Sequence, residues 1–340
     1  MDNMFLPKEL RKCLAILNGQ LESEKMVAEI QQFLDKAGKV SKWMLYSDYC
    51  LDDFKKPNDV ITFVLVPYLS DEEYHALDNK IKATQPKDMK KSRGVNVDFL
   101  SYIKQQAILS FSFIVNGRQL LYGNTGKEQI DAVVKTLEAI KKLYETWRDH
   151  AENKDVEDYY KEIVQKLKRQ LAEIAQKKNV KIHMDILLIT LLGAVYTAAI
   201  LKHLPKLEIF GWFPDRDKTN EACDQIAIPI FNAIQYKCLN SCQYRFLAMD
   251  PNSTVVPFYD NENRIADIIC ATVADYNIKA NKVSANKFIQ VLRGLMADNN
   301  MMKVYRLHVE NEKTHVGTIL IYRSFWKDLL FKIVHFFQNQ

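Results

Sequence analysis

Acidic side chains stand where several apolar runs of this chain end. Asp48 closes Trp43-Met44-Leu45-Tyr46-Ser47, and Asp215 and Asp217 follow the run from Leu207 to Pro214. Asp267 lies inside Arg264-Ile265-Ala266-Asp267-Ile268-Ile269-Cys270-Ala271. Apolar neighbours put these carboxylates at the edge of a core, where an unpaired charge is costly. Carboxylates drawn together there repel one another unless a cation neutralises them. A divalent metal does so, and hard oxygen ligands select Mg²⁺ or Mn²⁺. One or two such ions would activate water and stabilise a departing oxygen, the chemistry of phosphodiester cleavage. Asp250, just after Met249, is a candidate further ligand, and Asp217 either joins the set or holds Arg216 or Lys218.

Each acid also has a structural reading. Aspartate at a strand end bonds turn and helix-terminal amides, and Asp217 before Thr219 suits a helix cap. Asp267 would serve in a buried salt bridge to Arg264 or Arg216. Asp53 and Asp59 read as loop residues.

The periodicity supplies the elements that must position these groups. Residues 7 to 37 read as helical, with Gly38 as a stop. Strands are expected over about 42–49 and 60–66, and their close spacing predicts antiparallel pairing. A short helix over 71–81 leads into a basic loop reaching about 94, then a strand at 108–115. Asn116-Gly117 signals a turn, with Gln119–Tyr122 returning as a hairpin arm. Helices are expected near 130–147, 155–177 and 185–203, the first opened by a capping box of Thr125 and Glu128. A strand at 207–213, a helix at 219–237, a strand at 243–249 and a helix from about Asn263 follow. Beyond 280 come a helix, a strand at 303–309 and a further strand leading into an amphipathic stretch from Phe325 to Phe337.

At 340 residues, with 48% hydrophobic and 26% charged content, the chain is an ordinary globular one with room for a large core. Six cysteines in this length do not make a disulfide scaffold. The formal charge of +5 is mild, but residues 80–104 hold seven Lys/Arg against two Asp, and residues 279–340 hold ten against four Asp/Glu. Either these two basic segments meet the phosphates of DNA or RNA, or they are solvated surface runs. Ile186–Leu201 is uncharged over 16 residues, shorter than a bilayer span, so a buried core helix and no membrane partner are expected. The start lacks a secretory pattern, which predicts a cytoplasmic protein. His183 and Asp185 are two apart and unsuited to a relay, and His203, His308 and His315 show no ligand partners in the sequence.

The stretches Tyr46-Ser47-Asp48, Phe213-Pro214-Asp215-Arg216-Asp217-Lys218 and Arg264–Ala271 resemble those of the RNase-H-like family known as domain of unknown function 3800. The order and approximate positions agree over residues 40 to 278. The turn after the first Asp departs from the family's small Ser-Gly-rich form, and Arg264-Ile265 replaces its usual Leu-Gln. The resemblance implies an α/β fold: an RNase-H-like mixed sheet with flanking helices and a large helical insertion. It implies that Asp48, Asp215 and Asp267 are the catalytic, metal-binding acids, with Asp217 and Asp250 as further metal ligands. The expected organisation is a helical extension over 1–40, an RNase-H-like domain over 41–278 with its insertion at about 125–205, and a basic extension over 279–340. The expected function is a metal-dependent nuclease or related phosphodiester hydrolase using Mg²⁺ or Mn²⁺. The alternative is a non-catalytic protein of the same fold that binds nucleic acid, or binds a protein through the helical insertion.

Overall fold

The run Val60-Ile61-Thr62-Phe63-Val64-Leu65-Val66 is buried at every position, as expected for a β-branched strand packed on both faces. In the computed structural model it is one of the central strands of a mixed sheet. The described residues are 6–216, 218–239, 243–248, 258–311, 313–323 and 331–339. In chain order the elements are α1 (Lys8–Leu21), α2 (Glu24–Ala37), β1 (Lys42–Cys50), β2 (Val60–Pro67), α3 (Asp71–Thr84), α4 (Val97–Gln105) and β3 (Leu109–Ile114). There follow α5 (Gly126–Asp149), α6 (Lys154–Ala175), α7 (Val180–Leu201), β4 (Ile209–Pro214), α8 (Lys218–Glu221), α9 (Ala227–Cys238) and β5 (Arg245–Ala248). The last are α10 (Asp260–Asp275), α11 (Asn286–Val291), β6 (Met302–Glu310), β7 (Lys313–Arg323) and β8 (Phe331–Asn339). The protein is therefore α/β, with flanking helices and a large helical insertion.

The strands run in the order β5-β4-β1-β2-β3-β6-β7-β8. β2 is antiparallel to β1 and β3, while β1–β4, β4–β5 and β3–β6 are parallel. β6, β7 and β8 form an antiparallel series, so the segment after residue 279 adds three strands beyond β3.

The chain divides into two compact units. One comprises Gly19–Asn116, Leu204–Asp215 and Tyr244–Gln340 and contains the sheet. On one face of that sheet Met44, Tyr46, Val64 and Val304 share a core with Ile265 and Ile269 of α10, Phe99 of α4 and Val291 of α11. On the other face, α2 brings Phe33 against Trp43, with ring centroids 5.5 Å apart, and its Glu29 pairs with Lys303.

The second unit comprises Met1–Asn18, Gly117–His203 and Arg216–Gln243. α7 is long and apolar enough to cross a membrane, yet its apolar stretch is almost wholly buried inside the protein. Near its start Asp185 receives a two-pronged bond from buried Arg118, Nε to Oδ1 at 2.6 Å and Nη2 to Oδ2 at 2.9 Å. His183 turns elsewhere, with Nε2 3.1 Å from the Gln170 amide oxygen and Nδ1 2.8 Å from the Asn179 carbonyl. The two residues serve different partners, as their spacing predicts. Thr125 and Glu128 form the expected capping box on α5.

Four local expectations are corrected. The helix over 7–37 is two helices, because the Ser23 hydroxyl accepts from the Met26 amide and starts α2 afresh. The basic loop after α3 contains a 3₁₀ turn at Met89–Lys91 and is followed by α4, capped by Asn96. Gln119–Tyr122 is not a hairpin arm: Arg118–Leu121 form a 3₁₀ turn whose Arg118 is drawn to Asp185. The helix over 219–237 breaks at Cys223, Asp224 and Gln225, all at positive φ. There Asp224 accepts from Arg169 and Gln170 of α6, and those tertiary bonds hold a backbone that helix propensity disfavours. The amphipathic stretch from Phe325 overlaps β8, and residues 324–330 lie outside the described ones.

Candidate metal and phosphate site

The register of two adjacent parallel strands brings the first two acids together. β1 and β4 pair Tyr46 with Phe213 and Ser47 with Pro214. The next amide, that of Asp215, donates to the Ser47 carbonyl at 2.8 Å. Asp215 thus continues the ladder one step and stands beside Asp48. Side chains alternate along a strand, so Met44, Tyr46 and Asp48 share a face with Gly211, Phe213 and Asp215. Gly211 is required on that face: a Cβ there would run into the Phe213 ring, which packs 6.0 Å from Tyr46.

α10 supplies the third acid from the layer above. Its Ala266, Cys270 and Ala274, spaced four apart, are buried on the sheet side. Below them the row crossing the sheet from Asp48 continues through Thr62 to Ser112, whose hydroxyls lie 2.8 Å apart. Small side chains on both layers let the helix sit close, and the Cys270 thiol donates to the Val60 carbonyl at 3.8 Å. Asn58 in the β1–β2 connection fixes the helix end, its side-chain amide donating to the carbonyls of Val273 and Tyr276 at 2.9 and 2.7 Å. This anchoring presents Asp267, one residue past Ala266, to the same cavity that Asp48 and Asp215 line.

The cavity has a volume of about 450 Å³. Six aspartates line it against four basic side chains, Lys56, Lys90, Arg264 and Lys287. Three of the cations are partly committed. Lys56 pairs with Asp275 at 2.7 Å, and Lys287 donates to the carbonyls of Met89 and Ser92 at 2.7 and 3.1 Å. Arg264 donates to the Gln85 carbonyl at 3.1 Å and to Asp260 at 3.2 Å. Lys90 is exposed, and its charge acts on Asp267.

Titration behaviour follows from this crowding. Burial pushes the Asp48 carboxyl well above the usual range, and the charges of Asp267 and Asp215 push it further. Asp267 is raised to about 6, chiefly by burial, with Asp88 and Asp215 adding to the shift. The Met89 amide opposes it, donating to Asp267 Oδ2 at 2.6 Å. Asp267 therefore bonds a turn amide, while Arg264 turns to Asp260 and the Gln85 carbonyl. For Asp275, burial alone would raise the pKa, but Lys56 and Ser284 outweigh it and hold the carboxyl low.

Asp217 and Asp250 lie outside the described residues. Asp53 and Asp59 act within the β1–β2 loop, accepting from the amides of Lys55 at 3.0 Å and Asp52 at 2.7 Å, although Asp53 also reaches the cavity lining. Comparison with family models, curated proteins and solved structures finds no match.

Two groups escaped the sequence reading. Glu262 on α10 is buried and raised to about 7, mainly by that burial. Its position among polar residues at the start of a helix gave no sign of this. His308, Glu310 and His315 come together on β6 and β7, each offering a ligand atom within 4.8 Å of the others. Among the described residues the three cavity aspartates do not form a set that tight. The histidines meet through hairpin register, which sets residues 308 and 315 opposite each other.

Proposed function

We propose that this protein is a divalent-metal-dependent phosphodiester hydrolase of RNase-H-like fold, a nuclease or close relative. The single observation that supports this reading best is the lining of one cavity by Asp48, Asp215 and Asp267, drawn from two neighbouring strands and the helix over them. The strand order β5-β4-β1-β2-β3, with β2 antiparallel to the rest, is the arrangement expected of such a fold.

The donor set suits a hard cation. All three candidate ligands are carboxylates, and burial with mutual repulsion disfavours the charged forms of Asp48 and Asp267 when no cation is near. Asp48 and Asp215 would hold the ion on the sheet side and Asp267 on the helix side. A bound Mg²⁺ or Mn²⁺ would supply water activation and charge stabilisation at the departing oxygen. The chain's own part is positioning. Sheet register fixes Asp48 against Asp215, while the Met89 amide orients Asp267. Lys90 and Arg264 offer positive charge to a substrate phosphate at the cavity edge. Basic side chains of residues 80–104 and 279–340 would extend that attraction along DNA or RNA.

The test is calorimetric titration of Mg²⁺ and Mn²⁺ into the parent, Asp48→Asn and Asp267→Asn, with cleavage of single- and double-stranded DNA and RNA assayed in parallel. Binding in the parent, lost in both variants together with a roughly 10²–10³-fold fall in cleavage, is the expected result. No metal binding by the parent would remove the proposal. Metal-independent nucleic-acid binding without cleavage would favour the non-catalytic alternative.

A further inference from the structure

We propose that His308, Glu310 and His315 form a second metal site, one for a borderline divalent transition ion such as Zn²⁺. The site is independent of the aspartate cavity, which none of its residues lines.

The antiparallel register of β6 and β7 sets His308 opposite His315 and Glu310 opposite Lys313. Alternation along the strands puts Arg306, His308 and Glu310 on the same side as Gly317, His315 and Lys313. The two imidazoles stack with centroids 4.9 Å apart and 19° between their planes. His308 Nε2 lies 3.9 Å from a Glu310 carboxylate oxygen. One ligand atom from each residue falls within 4.8 Å of the other two.

Tetrahedral Zn²⁺, with bonds of about 2.0–2.2 Å, needs ligand atoms roughly 3.4 Å apart. The group must therefore contract by up to about 1.4 Å, and the stacked rings must turn so that their planes meet at the ion. The Glu310 side chain, 69% exposed, is free of packing that would resist this, and rigid strands carry both histidines.

The donor chemistry selects the ion. Two imidazoles and one carboxylate suit Zn²⁺, Ni²⁺ or Cu²⁺, whereas Mg²⁺ prefers oxygen alone. Three protein ligands leave a fourth position open to water or a small anion. Arg306 and Lys313 flank the group and oppose a dication, while suiting an anion at that open position.

The experiment uses the full chain at pH 7.5 with millimolar Mg²⁺ present to occupy any all-oxygen site. Zn²⁺ is titrated by calorimetry, and Co²⁺ is followed by its visible absorption as a spectroscopic stand-in. One equivalent of Zn²⁺ is expected. Affinity should fall at least tenfold in His308→Gln and in His315→Gln, fall in Glu310→Gln, and hold in Asp48→Asn. Should a histidine variant fail to fold, Glu310→Gln at its exposed position and the nitrogen hyperfine pattern of Cu²⁺ bound to the parent decide the matter. Absence of Zn²⁺ uptake, equal affinity in all variants, or sulfur-to-cobalt charge-transfer bands assigning the ion to cysteine would each overturn the proposal.

Discussion

Asp215 lies one ladder step past the last β4 residue, and the hydrogen bond its amide donates to the Ser47 carbonyl seats it beside Asp48 on the neighbouring parallel strand. Two acids that are 167 positions apart in the chain thus become lateral neighbours through sheet register. Their charges, with that of Asp267, make the cavity unfavourable when all are ionised and nothing cationic is bound.

Stability should therefore depend on pH in a defined direction. Asp48, Asp267 and Glu262 have folded-state pKa values above their unfolded ones, Asp267 at about 6 and Glu262 at about 7. The folded protein binds these protons more tightly, so their contribution is present in acid; that of Asp267 and Glu262 is lost as pH rises from about 4 to 7, and that of Asp48 as pH rises through its own raised folded-state value. Against Asp48→Asn/Asp267→Asn, the parent should lose on the order of 1–3 kcal/mol across that window. Urea melts at several pH values measure this. Millimolar Mg²⁺ should restore the parent near pH 7 and do little for the double variant.

Asp267 has two separable roles. In Asp267→Asn the side-chain oxygen can still accept from the Met89 amide, whereas Asp267→Ala removes the acceptor. At pH 4, where Asp267 is protonated in the folded parent, alanine should cost about 1–2 kcal/mol and speed deuterium exchange at Met89, while asparagine should cost less. Equal exchange in both variants would show that the bond does not hold the turn.

The buried Arg118–Asp185 pair should tolerate joint replacement better than single removal. Arg118→Met leaves an uncompensated carboxylate and should cost about 3–5 kcal/mol in chemical denaturation. Adding Asp185→Leu should recover much of that loss.

If nucleic acid binds at the cavity edge, Lys90 should contribute one phosphate contact. Lys90→Ala should weaken binding for all sequences and reduce the slope of log affinity against log salt by about 0.7–0.9. Fluorescence anisotropy at several salt concentrations reads this slope. Lys56 differs because its ammonium is held by Asp275, so its replacement should show mainly in stability.

The acids were legible because apolar strands and an apolar helix surround them, and the strand over 60–66 because β-branched residues fill it. The partners of Asp267 and the burial of Glu262 were not, since both depend on how α10 rests over the sheet and against the turn at Met89–Lys91. Local periodicity carries no information about such long-range packing. The breaks at Ser23 and Asp224 arise differently: a capping hydroxyl in one case and two cross-helix bonds in the other override otherwise helical patterns. The His308–His315 pairing needed only the hairpin register, which single-strand patterning leaves unset.

β1 lies in the interior of the sheet, bonded on both sides by β2 and β4, whereas β8 and β5 form the margins. Backbone amides in such an interior strand are among the last to open during local fluctuation. Fraying would thus begin at the margins and leave Asp48 and Asp215 side by side. If the proposed metal site is right, loosened forms of the protein would keep two of its three ligands side by side before the last strand docks.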